Sequence, residues 1–155
     1  MLKQEACWLL FSASTATHGQ PVTKLQMETR INFGIIGCGD IAERAFIPAL
    51  AMCKSATLQG ISSRDASKAA HLANKYGCLG FTSDAELVAS SEIDVVYIAN
   101  PVGAHLESCL IAAENGKQIL CEKSLSYDLL TVKKILKECK QSKVAIIEGF
   151  SYQYH

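Results

Sequence analysis

The segment Gly37-Cys38-Gly39-Asp40-Ile41-Ala42 constrains this chain more than any other. It follows directly on the apolar run Ile31 to Ile36, whose β-branched residues suit a strand buried on both faces. A strand that stops at a glycine turn and gives way at once to a helical stretch starts a β-turn-α unit. The same alternation then repeats to the end of the chain. Asp40 to Met52 reads as helix, bent or divided by Pro48. Ala56 to Ile61 reads as strand two, and Asp65 caps a helix through about Lys75 with Ala66, Ala69, Ala70 and Ala73 inward. Gly77 suits the left-handed position that ends it.

Leu79 to Phe81, Ile93 to Ile98, Gln118 to Cys121 and Val144 to Glu148 complete a set of six strands. Between them fall helices at Asp84–Val88, at Gly103–Glu114, and from a Ser126 or Asp128 cap to about Cys139. Strict alternation predicts right-handed crossovers and an α/β fold, a doubly wound parallel sheet. Ligands of such sheets lie at the carboxyl ends of the strands, near the point where strand order reverses.

With 155 residues the chain suffices for one domain with a sizeable core. Residues 1–28 read as an extension and 29–155 as the domain; Met27 before Glu28-Thr29-Arg30 suggests that residues 1–26 precede the native start. The short run Ala6 to Phe11 faintly resembles a secretory signal, but it is brief for that role, and a cytoplasmic location is expected. No apolar run reaches the roughly 18 residues of a membrane span. Fifteen basic residues balance fifteen acidic ones, and no basic run interleaves with aromatics, so neither a membrane nor nucleic acid is an expected partner. The seven cysteines form no C-x-x-C pair, and they read as small buried hydrophobes in a reducing compartment, with no disulfide framework or metal site expected.

The turn has the form G-x-G-x-x-A. Gly37 permits a tight bend, Gly39 lets backbone approach a pyrophosphate, and Ala42 keeps helix and strand close. The helix start adds free N–H donors and partial positive charge for phosphate. Gly37, Cys38, Gly39, Asp40, Ile41 and Ala42 are therefore candidate dinucleotide contacts; an S-adenosylmethionine pocket of the methyltransferase type is the alternative. A carboxylate ending strand two would favour NAD. This chain has Ser62-Ser63-Arg64 there, and Ser63 with Arg64 suits a 2′-phosphate, so NADP is expected ahead of NAD.

Taken with Tyr97-Ile98-Ala99-Asn100-Pro101, His105, Asn115-Gly116-Lys117, Cys121-Glu122-Lys123-Ser124 and Glu148 to His155, these motifs resemble the N-terminal domain of the Gfo/Idh/MocA oxidoreductases. The resemblance runs from about Ile31 to the last residue. It implies an NAD(P)-binding Rossmann fold and hydride transfer between nicotinamide and a sugar, cyclitol or dihydrodiol. By the same resemblance Lys123 assists the proton and is the catalytic candidate. Glu122 holds its surroundings, Asn100 and Pro101 border the nicotinamide ribose, and Tyr152 and Gln153 reach the nicotinamide pocket. His105 is a weaker candidate for cofactor or substrate contact, because such a histidine more often caps or packs. Ser124 replaces the usual proline of the Glu-Lys-Pro signature, which is expected to loosen the aim of Lys123. The family's C-terminal α/β domain, which supplies the substrate pocket and carries the surface for homo-oligomers, is absent from this chain. Cofactor binding with little turnover is therefore expected of these residues alone, with a non-catalytic nucleotide-binding or interaction module as the alternative.

Overall fold

The computed structural model describes residues 30–150; the proposed extension at 1–28 lies outside the described residues, as do Tyr152 and Gln153. Six strands form one parallel sheet: β1 (Ile31–Ile36), β2 (Ala56–Ser62), β3 (Leu79–Phe81), β4 (Val95–Ile98), β5 (Gln118–Cys121) and β6 (Ile146–Glu148). Their order is β3-β2-β1-β4-β5-β6, so the order in which successive strands are added reverses between β1 and β4, although all run parallel. A crevice opens at such a reversal, because the connections leaving the two central strands pass to opposite faces.

The strands alternate their side chains between two cores. Phe33, Ile35, Val95 and Tyr97 face one side, together with Ile47 and Leu50 of α1 (Ile47–Ala51) and Ala69 and Leu72 of α2 (Ala66–Tyr76). Ile36, Val96, Ile98 and Ile119 face the other. There they meet α3 (Asp84–Ala89), α4 (Val102–Glu114) and α5 (Leu129–Ser142) through Leu87, Cys109, Ala112 and Ile135. β1 and β4, central in the sheet, are buried on both faces, as their apolar runs require.

Several boundaries differ from the sequence reading for local reasons. Between β1 and α1 the chain makes a π-helical turn, Ala42–Phe46, in which the Ile47 N–H reaches back five residues to the Ala42 carbonyl. Pro48, which has no N–H to give to the helical ladder, follows this turn as the second residue of α1. Within α2, Ala66 and Ala70 are exposed and Leu72 takes the inward position beside Ala69 and Ala73. β4 begins at Val95, because Ile93 sits in a turn with its N–H on the Ser90 carbonyl. Asp128, not Ser126, caps α5, accepting from the Thr131 N–H at 2.9 Å. That helix runs on to Ser142 and ends on Lys143 in the left-handed conformation. β6 starts at Ile146, two residues late, although Val144 is buried as expected.

Among the described cysteines, Cys38, Cys109, Cys121 and Cys139 are buried among apolar neighbours. No helix among the described residues is long and apolar enough to cross a membrane. Ile98 is fully buried at the centre of the larger core. Replacing it with Ala should cost about 2–5 kcal/mol of unfolding free energy in urea titration. Met52→Ala, at a side chain 71% exposed, should change it by less than about 0.5 kcal/mol.

Candidate functional site

Parallel pairing places the carboxyl ends of β2, β1, β4 and β5 in a row, and hydrogen bonds carry the ladder one residue past each strand. The Gly37 N–H donates to the Ser62 carbonyl (2.9 Å), Ala99 to Ile36 (2.8 Å) and Glu122 to Ile98 (2.9 Å). Gly37, just beyond β1, has φ of +98°, a conformation that side chains resist. A Cβ there would stand 2.7 Å from the Asn100 nitrogen. Backbone thus meets backbone across the reversal point, and only glycine fits.

The cleft above this contact measures about 580 Å³. Its walls bring together Gly37, Cys38, Gly39, Ser63, Arg64, Asn100 and Pro101, seven of the residues singled out in the sequence. The Cys38 side chain nonetheless belongs to the core: its Sγ lies 3.8 Å from the Ser62 carbonyl, and burial pushes the thiol above its ordinary value. Ala42 is buried beneath the turn, whereas Asp40 and Ile41 are exposed at the start of the helical segment, Asp40 in a 3.5 Å pair with Arg44. The first N–H groups of such a segment have no acceptor within it. Among the described residues neither Arg64 nor Lys68, which also lines the cleft, forms a salt bridge. The Asn100 side chain donates to Ser108 Oγ (2.8 Å), and its Oδ1 is buried without a partner. Open glycine backbone, two cations and an orphaned acceptor fit a phosphate-bearing polar ligand.

Asp84 is missing from the sequence reading as a site residue. It belongs to the first turn of α3, but strand order sets that turn beside the end of β2, and Ser62 Oγ donates to Asp84 Oδ1 at 2.6 Å. Lys68 and Glu107 on the cleft wall are missing too. Asp65, the nearest carboxylate in sequence, is committed to capping α2 and accepts from the Ser67 and Lys68 N–H groups. Only the strand order of the folded sheet reveals that Asp84, not Asp65, reaches the cleft.

The β5 end lies next to the cleft and is pinned from three sides. Glu122 accepts from the Tyr97 hydroxyl (2.6 Å) through one oxygen and from the Lys123 N–H (3.2 Å) through the other. Glu148 accepts from the Leu125 N–H at 2.8 Å. His105 corrects the sequence expectation of a ligand contact. It is 1% exposed, absent from the cleft wall, and set between the Ser124 carbonyl (3.0 Å, Nδ1) and the Asn100 carbonyl (2.9 Å, Nε2). Its ring therefore ties the β4 and β5 ends together from below. The Lys123–Ser124 peptide bond is cis. Lys123 itself is exposed beside the cleft, outside its walls. Tyr127, Leu129 and Leu130 next to it expose apolar surface. Among the described residues no group of three or more His, Cys, Asp or Glu side chains is gathered to hold a metal.

The Tyr97 phenol is held above its ordinary value of 10.0, first by burial and then by Glu122. With the folded value above the unfolded one, this group's contribution is intact below about pH 10 and is lost as pH rises past it, where the unfolded chain ionises first. Tyr97→Phe should therefore flatten the alkaline fall in stability, measured by urea unfolding at stepped pH. A slope identical to that of the parent chain would contradict this.

Comparison with known proteins agrees with this geometry. Residues 31–150 match the model of the Gfo/Idh/MocA family, described as an oxidoreductase family with an NAD-binding Rossmann fold. The chain is 36% identical over 121 residues to "Oxidoreductase P35" of Formosa agariphila, covering 77% of this chain and 38% of that protein. It is 32% identical to "D-xylose 1-dehydrogenase (NADP(+)) 2" of Haloferax volcanii, covering 79% and 38%. Among solved structures it superposes on KijD10, a 3-ketoreductase from Actinomadura kijaniata in complex with NADP and TDP-benzene. That match has a TM-score of 0.78 at 28% identity and covers 82% of this chain and 40% of that one. The chain thus spans about two fifths of the length of these relatives. Through a six-stranded parallel Rossmann sheet with its glycine turn at the point of reversal, this chain belongs to the Gfo/Idh/MocA oxidoreductase family.

Proposed function

We propose that this chain is the cofactor-binding part of an NADP(H)-dependent oxidoreductase that moves hydride between nicotinamide and a carbon bearing a hydroxyl in a sugar, cyclitol or dihydrodiol. The observation that carries this reading is the gathering of the glycine turn, Ser63 with Arg64, and Asn100 with Pro101 on one cleft, with Lys123 at the next strand end. Relatives whose names specify NADP(+) and a sugar support the cofactor and substrate class.

In this reading the backbone at Gly39 and the helix start beyond it take the pyrophosphate, which needs N–H donors and no intervening side chain. Ser63 donates to a 2′-phosphate, and Arg64 pairs with it. When bound, the dinucleotide supplies the hydride donor or acceptor. Lys123 orients the substrate hydroxyl, stabilises alkoxide character at its oxygen and relays its proton. Glu122 supports that role by holding the Lys123 N–H on one oxygen and Tyr97 on the other, which fixes the backbone from which Lys123 extends. In this reading the chain by itself binds cofactor with little turnover.

Fluorescence titration of the chain should show NADPH binding more tightly than NADH, with no competition from S-adenosylmethionine. Gly37→Ala, strained at its φ and crowded against Asn100, should weaken NADPH binding by at least about tenfold. Tighter binding of NADH would reverse the cofactor assignment. In a protein carrying this domain with a substrate-binding partner domain, Lys123→Met should lower kcat by roughly 10²–10⁴ with the NADPH Kd nearly unchanged. Unaltered turnover would remove Lys123 from the chemistry.

A further inference from the structure

In a sheet of this kind the carboxylate that reads the adenosine ribose normally ends the second strand. Here that strand ends in Ser62, Ser63 and Arg64, and the next acidic residue, Asp65, is consumed as a helix cap. The structure nevertheless returns a carboxylate to the same place. Asp84 comes from the following strand-helix unit, and Ser62, fully buried as the last residue of β2, fixes Asp84 Oδ1 at 2.6 Å. Among the described residues the other oxygen, Oδ2, has no hydrogen-bond partner. Asp84 lines the main cleft and also a smaller adjoining one of about 300 Å³, and Ser63 and Arg64 line both as well.

We propose that Asp84 sets how strongly this cleft discriminates between the phosphorylated and unphosphorylated dinucleotides. The proposal rests on the cofactor reading above and refines it. The free oxygen of Asp84 accepts from a ribose hydroxyl of NAD(H), while its charge opposes the 2′-phosphate that Arg64 and Lys68 attract. Cation and carboxylate thus act on the same region with opposite sign. Preference for NADP(H) is the difference between them, which keeps it modest and leaves NAD(H) usable.

The test is a pair of fluorescence titrations, NADPH and NADH, on the unaltered chain and on Asp84→Asn, which keeps size and hydrogen bonding while removing the charge. The ratio of the NADH to the NADPH Kd should rise about tenfold in the variant, the scale expected for deleting one charge several ångströms from a phosphate. The rise should come from tighter NADPH binding and shrink in high salt. Asp84→Ser serves as a second neutral variant if Asp84→Asn fails to fold by circular dichroism. A ratio unchanged within twofold in a folded variant that binds both cofactors overturns the role of Asp84. Failure of the unaltered chain to bind either dinucleotide overturns the cofactor reading, and this inference with it.

Discussion

Everything in the candidate site depends on how closely β1 and β4 approach at their carboxyl ends. The Ala99 N–H bonds to the Ile36 carbonyl, and one residue later the chain at Gly37 passes the Asn100 backbone with no room for a Cβ. The two strands then send their connections to opposite faces, and the cleft is the space that this divergence leaves. Because both strands are buried on both faces, packing holds the contact rigid from above and below. A loop could present the same glycines, but it could not hold them against a fixed neighbour.

A second constraint organises the β5 end. Lys123 is exposed, and an exposed lysine on an ordinary loop would range widely. Here its backbone is surrounded by buried or half-buried polar groups whose partners are mostly backbone. Glu122 reaches the Lys123 N–H, Glu148 reaches the Leu125 N–H, and His105 spans the carbonyls of Ser124 and Asn100. The proline expected in the signature is replaced by Ser124, and the segment is held instead by bonds from three neighbouring elements. This is a division of labour: the glycine contact shapes the cleft, and the polar ties position the strap beside it.

Much of this is legible in the sequence, and the exceptions share a physical cause. The run Ile31 to Ile36, the glycine turn and the Asp65 and Gly77 boundaries of α2 are local patterns, and each lies where its residues predict. The end of α5 is not legible, because Lys143 takes a left-handed conformation that sequence assigns to glycine. The inward face of α2 is misjudged because alanines carry little hydrophobic contrast and Leu72 decides the matter. In the site, Gly37 to Gly39, Ser63 with Arg64, and Asn100 with Pro101 gather on one cleft, whereas Asp40, Ile41, Ala42, His105, Glu122 and Lys123 lie outside its walls. Asp84 and the ties of His105 escape notice because they depend on which strands are neighbours. Periodicity predicts six strands and their parallel sense, but adjacency across β3-β2-β1-β4-β5-β6 is a property of the folded sheet.

The central claim is that the strand ends of β1, β2 and β4 form one dinucleotide-binding surface. Backbone amide shift mapping of the chain during NADPH titration tests it most directly. The largest saturable changes should fall on Cys38, Gly39, Asp40 and Ile41, on Ser63, Arg64 and Lys68, and on Asn100, with β6, the last turn of α2 and the outer face of α5 silent. Saturable changes confined to those silent regions, or none at saturating NADPH, would contradict it.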